Sequence, residues 1–149
     1  MGPVTPLRDG RYRLRLDDEE RALVGTLCAE LEALIRADDR RVPRLFPPAH
    51  RTDPEAAAAF DRLARDELVS GRLAALATVA RTVRADTLEH EELAAWCGAL
   101  NDLRLVLGER LGITEDLDES LFATSPDHAV YAWLTWLQAA TVDALASRL

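Results

Sequence analysis

The order of apolar and polar positions changes period early in the chain. Residues 11–16, Arg-Tyr-Arg-Leu-Arg-Leu, alternate with period two, which predicts one short strand with Tyr12, Leu14 and Leu16 on its inner side. A lone strand leaves its backbone groups unpaired, and Asp86–Glu89 is the segment expected to pair with it. From residue 17 the pattern becomes helical. Asp17 and Glu20 have the spacing of a capping box and open a helix over about 18–37. With Leu27 at the origin and about 100° per residue, Leu23, Val24, Leu31, Leu34 and Ile35 share one arc, with Cys28 at its edge.

Pro43, Pro47 and Pro48 exclude a continuous helix through 38–53, and Leu45 and Phe46 are expected to tuck this loop onto the core. Asp53 caps a second helical stretch, with Pro54 in the first turn and Glu55 beside the positive helix end. Asp66 has the character of a fresh N-cap and Gly71 weakens the middle. Two consecutive helices, roughly 54–65 and 67–85, are therefore expected, one kinked helix being the alternative. A further helix spans about 90–111 and ends at Gly112, a residue suited to the left-handed C-terminal position. The acidic stretch Glu115–Glu119 reads as loop. Ser125-Pro126-Asp127 then starts a last helix that runs to about Ser147. The fold class expected is mainly all-α: a single domain over residues 1–149, built as a bundle of about five helices with a short N-terminal β-strand, residues 1–10 being flexible.

Two helices depart from simple amphipathicity. In 90–111, Leu93, Trp96, Cys97, Leu103, Leu107 and Leu111 lie within about 60° of Leu100, and Arg104 falls inside that stripe at about 40°. An unpaired guanidinium in a core would cost several kcal/mol. Arg104 is therefore expected either to pair with a carboxylate from another helix or to face a partner or ligand anion. Asn101 and Asp102 beside it complete a set of candidate buried polar residues. Leu105 and Val106 point away from the stripe, as in a central helix. In the last helix Val130, Tyr131, Leu137 and Leu145 gather around Leu134, whereas Trp133 and Trp136 lie off that face. Large aromatics there suggest a protein–protein surface, most simply that of a two-fold homodimer; burial on all sides is the alternative.

Composition narrows the chemistry. All 18 basic residues are arginine, a pattern that GC-rich codon usage produces without any special guanidinium role. The net charge of −8 argues against broad nucleic-acid binding, since phosphate contacts need a basic face. Arg8, Arg11, Arg13 and Arg15 form one local exception, the basis of an alternative reading as a DNA-binding regulator. Arg36, Arg40, Arg41, Arg44 and Arg51, flanking the proline-rich loop, form another, and with Phe46 they make Arg44 a second candidate contact. No stretch has signal-peptide or membrane-spanning character, so a cytoplasmic protein without membrane association is expected.

Cys28 and Cys97 are too far apart in sequence for CxxC chemistry and read as buried free thiols. His50, His90 and His128 lack metal-ligand spacing, the glycines form no phosphate loop, and no nucleophile elbow is present. No catalytic residue, cofactor or metal is expected. A small-molecule sensor or enzyme with a pocket around Arg104 is the remaining alternative.

Two stretches resemble a known family. Arg44-Leu45-Phe46-Pro47-Pro48-Ala49-His50 is similar to its loop signature, and Leu100-Asn101-Asp102-Leu103-Arg104-Leu105-Val106-Leu107-Gly108-Glu109-Arg110-Leu111 to its most specific helix. The family is the actinobacterial group long labelled a domain of unknown function and later named for the oxidative-stress regulator AosR. The similarity runs nearly end to end. It implies a redox-responsive regulator of transcription that works through protein partners, such as a stress sigma factor. The redox role in that family goes with closely spaced cysteines. Here Cys28 and Cys97, the candidate redox residues, sit on different helices; they could approach if those helices pack together, and a disulfide would need their α-carbons within about 7 Å.

Overall fold

The computed structural model describes residues 2–37, 54–112 and 125–149. Among them the chain runs β1 (Val4–Pro6), β2 (Tyr12–Leu14), α1 (Asp18–Arg36), α2 (Pro54–Thr82), β3 (Thr87–Leu88), α3 (His90–Leu111) and α4 (Pro126–Ala146). The fold is mainly helical, with four helices among the described residues rather than about five.

The strands form one antiparallel sheet in the order β1-β2-β3. Tyr12 lies opposite Leu88 and Arg13 opposite Thr87, so the Asp86–Glu89 stretch does supply the partner strand. The other edge comes from a segment expected to be flexible. Val4 pairs with Leu14 and Pro6 with Tyr12, and Gly10 closes the turn at φ 94°, where a side chain would be strained. This pairing leaves Tyr12 and Leu14 buried on one side of the sheet, and the Tyr12 hydroxyl is hydrogen-bonded to His90 Nδ1 at 2.9 Å.

α1 begins with the capping box that its sequence announces: Asp17 accepts from the Glu20 amide at 2.8 Å and Glu20 from the Asp17 amide at 2.9 Å. Its buried line is rotated from the expected one. Val24, Cys28, Leu31 and Ile35 are buried, while Leu27 and Leu34 are only partly covered. The expected break within 54–85 is absent, because α2 is continuous over 29 residues. A single glycine costs a helix only about 1 kcal/mol, and packing of the C-terminal part of α2, through Leu76, Val79 and Thr82, outweighs Gly71 and the capping tendency of Asp66.

α3 is the centre of the molecule, packed by α1, α2 and α4. Trp96 is fully buried, and its indole N–H donates to Thr82 Oγ1 at 2.8 Å, which satisfies the one polar atom that such burial would leave alone. Gly112, at φ 69°, ends α3 as predicted. Ser125 caps α4 through the His128 amide.

Candidate interaction surface

α4 presents the least expected surface. It packs on α3 through Leu134 and Leu137, with Thr141 and Ala144 also buried. Between about 120° and 180° from Leu134 around the helix stand Ala129, Ala132, Trp136, Ala139, Ala140 and Asp143. Trp136 is 52 % exposed. Between Asp127 and Asp143 the helix carries no Asp, Glu or Arg, so this outward face lacks the charges that usually solvate a surface helix. Trp133, expected to share it, is partly buried and is held by a hydrogen bond from its indole N–H to Glu20 at 3.1 Å. Trp136 is thus the exposed member of the pair.

Arg104 points from α3 to α4. It donates to Thr135 Oγ1 at 3.0 Å and to the Gln138 side-chain oxygen, and its guanidinium lies 5.6 Å from the centre of the Tyr131 ring. Among the described residues its partners are neutral acceptors and an aromatic face rather than the expected carboxylate. Partial exposure makes this sufficient, since the remaining donors still reach water. Asn101 is likewise partly buried. One turn on, Gly108 lies under Tyr131, where an added Cβ would meet the ring at 3.1 Å.

Asp102 faces the other way, toward α2, and is fully buried. Arg72 approaches to 3.2 Å, yet off the hydrogen-bonding direction, so both carboxylate oxygens lack a hydrogen-bond partner among the described residues. Burial raises the Asp102 pKa to about 6 against the opposing pull of Arg72.

A second buried charge escapes sequence reasoning. Arg21 is 6 % exposed and donates to the carbonyls of Leu16 (2.9 Å), Leu14 (3.1 Å), Val83 (2.9 Å) and Ala85 (2.7 Å). Asp86, its carboxylate neighbour, is 3.8 Å away and mostly exposed. Arg21 therefore ties the entry of α1 and the end of β2 to the turn that leads into β3. Its signal lies in the spacing: Arg21, Val24, Cys28, Leu31 and Ile35 repeat at intervals of three and four, which places Arg21 on the buried line.

Both cysteines are free. Burial pushes the Cys28 thiol up to about 12, the reverse of the shift that makes a reactive thiolate; Cys97 is partly buried. Of the N-terminal arginines, Arg11 is paired with Asp9 at 2.8 Å and Arg15 donates to Thr5. Arg44, Phe46, Leu45 and His50 lie outside the described residues. Among the described residues no group of three or more His, Cys, Asp or Glu is placed to hold a metal ion, and no helix is long and apolar enough to cross a membrane.

The architecture is that of a small, mainly helical domain whose sheet clamps one end of a helix bundle. A family model described as a domain of unknown function, DUF2017, matches residues 1–145, and the chain belongs to that family. No curated protein and no solved structure matches it.

Proposed function

We propose that this chain is a non-enzymatic regulatory or adaptor protein that works through protein–protein contacts, with the outward face of α4 as a docking surface and a second copy as its first occupant. The observation that carries this reading is Trp136, half exposed at the middle of a helix face whose other members are four alanines and Asp143. An antiparallel two-fold pairing centred on Trp136 brings Asp143 beside residue 129 of the other copy, near the positive N-terminal end of its α4. The lone charge on the face then becomes favourable, and the alanines allow close approach of the helices.

The finer reading is a regulator of the AosR type, cytoplasmic and acting in a transcriptional stress response, with a protein such as a stress sigma factor as partner. It is supported by the two similar stretches, residues 44–50 and 100–111. The burial of Cys28, which raises its thiol pKa, argues that such a role here runs through contacts rather than through that thiol.

Sedimentation equilibrium tests the surface. Trp136→Ala should weaken self-association about tenfold or more, the range of a central aromatic at an interface, while circular dichroism stays unchanged. An identical association constant for wild type and variant removes α4 as the dimer contact.

A further inference from the structure

The partial exposure of Leu27 and Leu34 on α1 has a counterpart on α3. Leu27, Leu31 and Leu34 of α1 face Leu103, Val106 and Leu107 of α3 across a groove of about 290 Å³. The two walls repeat at three- and four-residue intervals, so each offers a ridge at helical spacing. The volume is small for a cofactor pocket, and its walls are of the kind that receive the apolar side chains of a docked helix.

Charge selects the occupant. Glu30 and Glu109 line the groove together with Arg110. Arg110 is engaged by Asp127 at 3.4 Å, whereas among the described residues neither glutamate forms an ion pair. The groove lies toward the C-terminal ends of α1 and α3, where the helix dipoles add negative potential, and Arg36 at the end of α1 is paired with Glu32 at 2.9 Å. An apolar floor thus sits under a rim on which, among the described residues, two glutamates carry no ion-pair partner.

We infer that the α1–α3 groove is a second docking site, distinct from the α4 face, which receives an amphipathic helix of a partner protein whose apolar stripe is flanked by arginine or lysine. The stripe would enter between Leu34 and Val106 while flanking cations reach Glu30 and Glu109. This requires no change in the bundle, because both glutamates are exposed.

The test uses the full chain and a fluorescein-labelled peptide with a leucine stripe at helical spacing flanked by arginines, read by fluorescence anisotropy. Its counterpart has every arginine replaced by glutamate. Saturable binding of the arginine peptide, weakened by salt and absent for the glutamate peptide, is expected. Glu30→Gln combined with Glu109→Gln should weaken binding about three- to tenfold, the combined effect of two partly screened charges. Glu19→Gln, at the opposite end of α1, should leave it unchanged. Val106→Glu should abolish binding, with circular dichroism confirming the fold. Equal affinity for both peptides, or an unaltered affinity in the double glutamine variant, overturns the inference. Binding that emerges only after Arg40, Arg41 and Arg44 are replaced by serine would assign the groove to the chain's own basic segment. Binding that competes with self-association would assign it to a second copy. Either result overturns it too.

Discussion

Replacing Asp102 by asparagine isolates the cost of a buried carboxylate in this fold. The pKa rises from 3.8 to about 6 on folding, so the charged form is less stable in the native protein than in the unfolded chain by about 3 kcal/mol. The native state holds this proton more tightly. Its contribution is therefore most favourable below the unfolded value, declines as pH rises between 3.8 and about 6, and levels off above that window. This is opposite in sign to the usual salt-bridged aspartate.

Asp102→Asn removes the titration at nearly constant volume, and Arg72, with a side chain 31 % exposed, keeps access to water. Urea denaturation of both proteins at pH 4 and pH 7 should show the wild type losing about 2 kcal/mol relative to the variant over that interval. Taking the difference between the proteins cancels the other carboxylates. A difference that does not change with pH, or a wild type that gains on the variant as pH rises, would show instead that Asp102 is well solvated or fully paired.

Two further stability measurements examine the packing. Arg21→Ala leaves four carbonyls without their donor and should cost roughly 3–5 kcal/mol in denaturant unfolding; Arg21→Lys should restore only part, since a single ammonium cannot reach all four. Gly108→Ala should destabilise by about 1 kcal/mol, because its Cβ would press on Tyr131 by more than helix propensity returns. By contrast Gly98→Ala, with open space around its Cβ, should be neutral or stabilise by up to about 1 kcal/mol. Equal effects at the two glycines would contradict the α3–α4 packing.

Much of the secondary structure is legible in the sequence because its causes are local. The Asp17–Glu20 box, the Gly112 stop, the Ser125-Pro126 start and the alternation at Tyr12–Leu16 are each written within a few residues. The break expected near Asp66 does not occur, for the complementary reason. A cap residue only offers an alternative to the helix, and the packing of Leu76 and Val79 decides whether the chain takes it. β1 is not legible because its three residues carry no pattern of their own and gain order only from pairing with β2. At the candidate surface, Trp136 and Trp133 look alike in sequence. A hydrogen bond to Glu20, more than a hundred positions away, distinguishes them.

Local pattern is enough to show that the chain is mainly helical, where several helices begin and end, and that α3 and α4 carry more apolar surface than one buried face requires. How each charge is accommodated depends on the assembled fold. Arg104 meets neutral groups on α4, Asp102 turns to Arg72 and Arg21 finds four carbonyls. Among the described residues the assembled fold also leaves Trp136 exposed on α4 and Leu27 and Leu34 only partly covered beside α3. The difference is one of range. Capping and periodicity act over one or two turns of chain, whereas desolvation of a charge or an aromatic ring depends on which distant segments arrive beside it.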